Sequence, residues 1–183
     1  MRYKTLLPLT LFVSACAPLL CREAEVLKRS HSEAGVPTSY EASLSLRHGL
    51  LRLPLQVQKR EGKFIIRGEG RTAELDLNRL CLGGVCLDMP INPDGLLFGK
   101  VLRGDERVEC SSSGVSFERE EGLFRWKYVF KEGRLSLVEF YDRRRDSILK
   151  LSYLEWSGEG YARAIRLERE NFNLLLTVDS LKF

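Results

Sequence analysis

The sequence predicts a mainly-β antiparallel fold, either a sandwich or a barrel, with two short helices. Apolar and polar residues alternate with a period of two through most of the chain after residue 38, as they do along strands with one buried face. Turn signals rich in glycine recur about every 8–12 residues, which is the spacing of hairpin-connected strands. Only two segments have helical features instead.

The first fifteen residues have the features of a secretory signal. A basic start precedes an apolar run over residues 5–13, shorter than the roughly 20 residues of a membrane-spanning helix. Residues 13–16, Val-Ser-Ala-Cys, resemble the lipobox of bacterial lipoproteins. The resemblance implies that residues 1–15 are removed and that Cys16 carries acyl chains that anchor the protein to a membrane. The alternative is an ordinary signal cleaved near Ala15, with Cys16 left to form a disulfide.

The chain from Cys16 onward has the length of one domain and is long enough to bury a core. Its charge is nearly balanced, because loss of the signal lowers the formal net charge from +4 to +2. Such a small excess, spread along the chain, argues against nucleic acid as a partner. No second apolar stretch is long enough to span a bilayer, so the lipid is the only anchor we expect. We expect a monomer.

Four cysteines remain if the lipobox cysteine is acylated, and four cysteines allow three pairings. Residues 81–86, Cys-Leu-Gly-Gly-Val-Cys, predict a two-residue Gly-Gly hairpin turn. This turn makes Cys81 and Cys86 a non-hydrogen-bonded cross-strand pair with close Cα atoms, which favours a disulfide. Cys21 and Cys110 are left to pair with each other or to stay free. No metal site is predicted, because the spacing is not CxxC and no histidine lies nearby.

The two helices are predicted from composition and capping signals. Residues 22–32 favour a helix that Gly35 ends. For the second helix, Asn92 is a suitable N-cap, Pro93 takes the first helical position, and Gly104 supplies the stop. We expect this second, amphipathic helix to pack across one face of the sheet or to close an opening.

The strands make up the rest of the chain. Pro54 cannot donate a backbone hydrogen bond, so its strand is expected to have a free edge or a bulge there. The predicted strands cover residues 40–47, 51–58, 64–66, 73–80, 107–110, 115–119, 123–131, 134–142, 147–155, 161–169 and 172–181.

The order of these parts is similar to that of a known family, the lipoprotein carrier LolA and the outer-membrane receptor LolB of bacterial lipoprotein sorting. The similarity covers roughly residues 36–183 and departs from the family in the short connection between Gly84 and Pro90. The features that carry it are the N-terminal helix before a long hairpin, the Leu82-Gly83 turn, Met89-Pro90-Ile91 before a short helix, and the C-terminal strands that begin with Trp126-Lys127-Tyr128.

The resemblance implies an open antiparallel half-barrel of about 9–11 strands, with two or so short helices over the concave face. The domain would span residues 39–183, after a lipid-anchored tether and short helix over residues 16–38. The receptor of the family is itself a lipoprotein and the carrier is not. The lipobox therefore favours a resemblance to the receptor over the carrier.

The implied function is the binding of acyl chains of lipoproteins or lipids in a hydrophobic concavity, and their transfer to the membrane. The protein would lie in the cell envelope, anchored to the outer membrane and facing the periplasm. Its partners would be the membrane, a lipoprotein or lipid cargo, and a periplasmic carrier, with no cofactor. The alternative is a structural or interaction scaffold of the envelope that has no lipid ligand.

Two sets of residues are candidates for this function. Leu82 and Gly83 form the candidate membrane-facing loop, or else an ordinary turn with an inward-facing leucine. The cavity candidates either line an open concavity or fill a closed core. They are Leu44, Leu46, Leu53, Leu55, Phe124, Trp126, Tyr128 and Phe130.

Enzymatic activity is not expected, and no catalytic residue is predicted. His31 and His48 are the only histidines, and neither lies in a recognisable Ser/His/Asp or metal-ligand spacing. The cluster over residues 143–145, Arg-Arg-Arg, is either a contact for anionic head groups or a polar hairpin turn.

Replacing Cys16 tests the lipobox interpretation. A Cys16→Ser protein has no thiol for acylation, so it should leave the membrane fraction and become soluble, whereas the unmodified chain sediments with membranes. Cell fractionation followed by immunoblotting measures this difference. If the variant still sediments with membranes, the anchor does not depend on Cys16 and the interpretation fails.

Overall fold

The structure, a computed structural model, describes residues 17–76, 79–82, 85–88, 90–170 and 172–183. These residues form a thirteen-stranded antiparallel sheet and two helices. The helices are α1 (Ala17–Ser30) and α2 (Pro93–Phe98). The strands are β1 (Tyr40–His48), β2 (Leu51–Arg60), β3 (Lys63–Gly68), β4 (Arg71–Asp76), β5 (Arg79–Leu82), β6 (Val85–Asp88), β7 (Arg107–Ser111), β8 (Gly114–Glu121), β9 (Phe124–Lys131), β10 (Arg134–Asp142), β11 (Ser147–Trp156), β12 (Ala162–Arg169) and β13 (Phe172–Lys182).

The sheet consists of two runs of hairpins joined by one long-range pairing. Strands β1 to β6 and strands β7 to β13 each pair with their chain neighbours, and β1 pairs with β13. Strands β6 and β7 lie at the two ends of the sheet, which therefore stays open. This confirms the predicted open, mainly-β architecture with two helices. The predicted single strand over residues 73–80 was wrong, because β4 and β5 pair antiparallel there. With β6 as a further short strand, the number reaches thirteen.

The two faces of the sheet differ in polarity. The face beneath the helices, called the inner face here, is largely apolar and includes the fully buried Val138, Leu151 and Ile165. The outer face carries cross-strand ion pairs, such as Lys150 with Glu139 at 3.3 Å. Exposed pairs of this kind add little to stability, but they keep the outer face soluble. The core therefore lies between the inner face and the helices.

Helix α1 packs on β7 and β8, the two strands at one end of the sheet. It begins at Ala17, five residues before the predicted start, and it ends at Ser30. Ala24 and Leu27 face inward and are buried, and the helix contacts β7 and β8. Among the described residues, no helix is both long enough and apolar enough to cross a bilayer.

Helix α2 is shorter than predicted. Its start is as expected, because the Asn92 side chain accepts a hydrogen bond from the Gly95 N–H at 2.8 Å. It ends at Phe98 instead of running toward Gly104. Gly99 adopts the left-handed conformation, with φ of 64°, and its N–H donates to the Gly95 carbonyl. The glycine that stops the helix is therefore Gly99, five residues earlier than predicted.

Residues 90–103, called the covering segment here, contain α2 and lie across the inner face of β9 to β12. Hydrogen bonds fix this segment along its length. The Trp126 indole N–H donates to the Pro90 carbonyl at 2.8 Å, and the Tyr153 hydroxyl donates to the Gly95 carbonyl at 3.0 Å. The predicted packing of this helix across the sheet is confirmed.

His31 joins the end of α1 to the covering segment. Its Nδ1 lies 2.9 Å from the Gly99 carbonyl, and its Nε2 lies 3.1 Å from the Gly133 carbonyl. The ring packs on Phe130, with centroids 4.6 Å apart. Burial lowers the pKa of His31 from its ordinary value, against the effect of the two carbonyl contacts. The position gives His31 a structural role in this fold.

Strand β2 extends beyond its neighbour β3. The pairing of β3 with β2 runs only from Gln56 to Arg60, so Pro54 lies where β2 has no neighbour on that side. The predicted free edge at Pro54 is thus confirmed, while the nearby bulge lies in the β1–β13 pairing, between Ser43 and Leu44. This unpaired stretch of β2 is where the inner face opens.

Candidate binding groove

The half of the inner face beneath the covering segment is closed. Trp126, Tyr128 and Phe130 are 7%, 2% and 1% exposed and belong to the core, as does Leu44. Phe124 is only half-buried and stacks on Phe140, with centroids 5.4 Å apart. Of the predicted cavity residues, Trp126, Tyr128, Phe130 and Leu44 therefore fill a packed interior in this structure, while Phe124 lies at its margin.

The other half of the inner face contains an open groove of about 370 Å³. Of the predicted cavity residues, Leu53 and Leu55 line this groove, and the half-buried Leu46 pairs directly with Leu53. Leu53 remains 37% exposed, so the apolar lining is accessible from solvent. The full lining is Leu53, Pro54, Leu55, Ile66, Gly68, Glu69, Arg71 and Ala73.

Strand lengths and one glycine create the groove. Strand β3 ends at Gly68, opposite the stretch of β2 that continues to Leu51. A Cβ atom at Gly68 would lie 2.6 Å from the Leu55 Cδ2 atom and 3.4 Å from the Pro54 carbonyl oxygen. The missing side chain therefore leaves room for Leu55 along the groove. Sequence reasoning missed Gly68, although a glycine within a strand often marks such a close approach.

A buried ion pair lies between the closed half and the open half. Lys59 projects from the inner face of β2, and its Nζ lies 2.6 Å from the Asp94 Oδ2 in the first turn of α2. The two side chains are 5% and 7% exposed. Burial raises the pKa of Asp94, and Lys59 opposes that rise. The pair ties the covering segment to the strand that lines the groove.

Tyr40 extends this buried polar cluster. It pairs with Lys59 across β1 and β2, and its ring packs edge-on against Phe98 at 5.2 Å. Burial and the charge of Asp94 both raise the pKa of Tyr40 above its ordinary value. The Tyr40 hydroxyl and the Asp94 Oδ1 are both buried in this cluster, and the Tyr40 hydroxyl, like Lys59, opposes the rise in the pKa of Asp94. The shortest contact in the cluster is the Lys59–Asp94 pair.

A second buried charge holds the far end of the covering segment. The Arg119 guanidinium lies over the Trp126 ring at 4.6 Å and 3.9 Å from the Glu106 carboxylate. Glu106 also accepts hydrogen bonds from the N–H groups of Arg103 and Gly104, at 2.7 and 2.9 Å. These contacts hold the C-terminal end of the covering segment against β8 and β9.

The predicted lipidation site and cysteine pairs fall partly outside the described residues. Cys16 lies outside them, and so does Gly83 of the predicted membrane-facing loop. Leu82 lies at the end of β5, and Cys81 pairs with Cys86 in the predicted register. The disulfide itself stays a prediction, as does a link between Cys21 in α1 and Cys110 in β7.

The remaining polar candidates have structural partners. Arg143 pairs with Glu120 at 3.2 Å, and Arg144 pairs with Asp142 at 3.3 Å, which favours the polar-turn interpretation of this cluster. Arg145 also lies within 3.9 Å of Asp142. His48 contacts the Asn173 carbonyl through Nδ1 at 3.0 Å.

Together these features define a class of protein. The chain is an open antiparallel half-barrel in which a helical segment covers one half of the inner face and an apolar groove occupies the other. This is a LolA-like fold, as the order of sequence elements predicted.

Comparison with solved structures identifies the fold. A LolA superfamily protein of Nitrosomonas europaea is similar over 87% of this chain and 93% of its own, with a TM-score of 0.54 and 14% sequence identity. A Vibrio parahaemolyticus domain, described as an outer membrane lipoprotein-sorting protein, covers 88% of this chain and 91% of its own, with a TM-score of 0.48 and 13% identity. No protein-family profile and no curated protein matches the sequence.

Breaking the buried ion pair should destabilise the fold. Lys59→Met leaves the Asp94 carboxylate buried without a counter-charge, and we expect the free energy of unfolding to fall by about 3–5 kcal/mol. The double variant Lys59→Met/Asp94→Leu removes both charges and should recover most of that loss. Urea unfolding followed by tryptophan fluorescence measures both values.

Arg163→Met provides the control for this experiment. It breaks the exposed pair of Arg163 with Glu155, and the unfolding free energy should change little. A Lys59→Met protein as stable as the Arg163→Met protein would show that the buried pair does not hold the covering segment. A double variant no more stable than Lys59→Met alone would contradict the charge-burial explanation.

Proposed function

We propose that this protein is an outer-membrane-anchored lipoprotein that binds acyl chains of lipoproteins or lipids and assists their transfer to the membrane. Acyl groups on Cys16 would tether it to the envelope, facing the periplasm, and the groove would hold the cargo chain. A periplasmic carrier would supply that cargo. The LolA-like fold supports this proposal, because the similar structure from Nitrosomonas europaea is that of a LolA superfamily protein.

The single observation that carries the proposal is the open groove beside Leu53 and Leu55. Its volume of about 370 Å³ is in the lower part of the usual range for ligand pockets, roughly 300–1,000 Å³. The aliphatic side chains of Leu53, Leu55, Ile66 and Ala73 lie in its lining, and they suit a hydrocarbon chain, while Glu69 and Arg71 lie there as polar groups. The groove is open to solvent, so a chain can enter without displacement of the core.

Transfer needs no covalent chemistry. An acyl chain in a shallow, solvent-facing groove keeps part of its surface in water, whereas the bilayer buries all of it. The hydrophobic effect then favours movement from the groove into the membrane. We therefore propose a binding and transfer protein, without a catalytic site.

A scaffold of the envelope is the second candidate, and the closed aromatic half of the inner face favours it. Trp126, Tyr128 and Phe130 are packed in the core, so this part of the inner face is filled by its own side chains. A scaffold would show no bound acyl chain when isolated from cells. Gentle detergent extraction followed by mass spectrometry of co-purified lipid or acylated protein distinguishes the two functions.

Filling the groove tests where the acyl chain binds. Gly68→Val adds methyl groups where a Cβ atom already meets Leu55, so the groove should lose room for about two methylenes of ligand. At about 0.8 kcal/mol for each methylene, binding of a fluorescent fatty acid should weaken about tenfold. Titration of the fluorescent fatty acid into the purified protein measures this change.

Gly158→Val is the matched control, because no atom lies within 4 Å of a Cβ at that position. Its affinity for the fluorescent fatty acid should equal that of the unmodified protein. Equal affinity of the Gly68→Val protein would place the ligand elsewhere. Absence of binding to the unmodified protein would contradict the proposed function and favour the scaffold.

A further inference from the structure

Two turns at one edge of the sheet display exposed leucines, whereas the turns after β3, β10 and β12 at that edge contain charged residues. Because consecutive strands are antiparallel, the turns that follow β1, β3, β8, β10 and β12 all lie at the same edge, called the leucine edge here. Leu50 and Leu51, in the turn after β1, are 106% and 69% exposed. Leu123, in the turn after β8, is 50% exposed. Leu50 thus has its whole side chain in water.

The opposite edge has no such residues in its described turns. Those turns contain Glu61-Gly62, Ser112-Ser113, Glu132-Gly133 and Gly158-Glu159-Gly160. A single exposed leucine is common on protein surfaces, whereas a patch of adjacent ones is informative. Leu50, Leu51 and Leu53 are all exposed on one hairpin, so they form such a patch beside the groove.

The charge at the two hairpin tips nearest the groove is strongly basic. Residues 46–53 and 66–73, which form the two hairpin tips nearest the groove, contain four arginines and one glutamate. Arg47 and Arg52 lie directly opposite each other in the β1–β2 pairing, an unfavourable arrangement for like charges. Arg52 reaches Asp179 at 3.4 Å. An anionic surface beyond the edge would offset this repulsion.

Three of these arginines are available to such a surface. Arg47, Arg67 and Arg71 are exposed and make no ion pair with any side chain that the structure describes. By contrast, the arginines of residues 143–145 pair with Glu120 and Asp142. Exposed arginines without an ion pair therefore lie on both hairpins beside Leu50 and the groove.

We propose that the leucine edge docks on an anionic phospholipid surface, with Leu50 and Leu51 inserted among the acyl chains. Burial of aliphatic side chains and attraction of arginines to anionic head groups are the two terms that bind proteins to membrane surfaces. This inference rests on the proposed function and deepens it. Leu53, two residues from the inserted tip, lines the groove, so a cargo chain would leave the groove directly into the bilayer.

Tryptophan substitution measures the insertion in the full chain. The Leu50→Trp protein is reconstituted into vesicles of phosphatidylglycerol and phosphatidylcholine, with brominated acyl chains as the quencher. If residue 50 enters the acyl region, its added fluorescence should be quenched roughly twofold. The unmodified chain, with its two native tryptophans, gives the background.

Leu154→Trp is the matched control. Leu154 is 48% exposed in β11, near the opposite edge of the sheet. Any lipid anchor holds both variants at the same vesicles, so the difference between them reports the orientation of the domain. Quenching of Trp at position 50 and not at position 154 supports the proposal. Equal quenching at both positions, or none at position 50, overturns it.

The head-group contact is tested by charge removal. Arg47→Gln and Arg67→Gln are added to the Leu50→Trp protein. Each lost charge should lower the ratio of membrane-inserted to uninserted 49–51 turns by about fivefold. Quenching that is unchanged by these substitutions, or equal in vesicles of phosphatidylcholine alone, overturns the proposed contact with anionic head groups.

Shielding of position 50 only when another envelope protein is added would overturn membrane docking and assign the leucine edge to a protein partner. Fatty-acid binding in the groove is measured separately, so failure of docking is distinguishable from failure of the proposed function.

Discussion

The buried ion pair between Lys59 and Asp94 is the contact on which the arrangement of the inner face depends. It lies where the covering segment meets the strand that lines the groove. Burying two charges is costly, and only close pairing offsets that cost. The pair therefore restricts α2 to one position on the sheet. In that position the aromatic half of the inner face is covered, while the half around Leu53 and Leu55 stays open.

This division explains why one sheet combines a stable core with a groove. The covered half supplies most of the buried apolar surface, including Phe117 and Phe130, and so supplies most of the hydrophobic stabilisation. The open half is stabilised by the backbone hydrogen bonds between its paired strands, and its leucines remain available to a ligand. Leu53 and Leu55 line the groove, and the exposed Leu50 and Leu51 lie at the tip of the same hairpin. This arrangement fits the movement of a hydrocarbon chain between protein and bilayer.

The fold was predictable because its signals are local. Period-two alternation predicted most of the strands, the Gly-Gly pair in the sequence predicted the register of Cys81 with Cys86, and Asn92 predicted the start of α2. The position of the groove was not predictable in this way. It depends on β3 ending at Gly68 while β2 continues to Leu51, which is a difference in the lengths of paired strands.

The covered and open halves of the inner face also have the same sequence pattern. Leu53 and Leu55 alternate with polar residues just as Trp126 and Tyr128 do, and only the position of the covering segment separates them. Lys59 follows the same alternation at an inward position, where burial is possible only through its long-range partner Asp94. The early stop of α2 at Gly99 likewise placed the covering segment differently from the longer predicted helix.

Photo-crosslinking of a diazirine-labelled fatty acid to the purified protein, followed by peptide mapping, tests the central claim most directly. The account predicts labels on β2, β3 and β4, within residues 53–73 that line the groove. Labels confined to β8 and β9, around Phe117 and Tyr128, would show that the acyl chain enters beneath the covering segment, and would contradict the assignment of the open groove as the binding site.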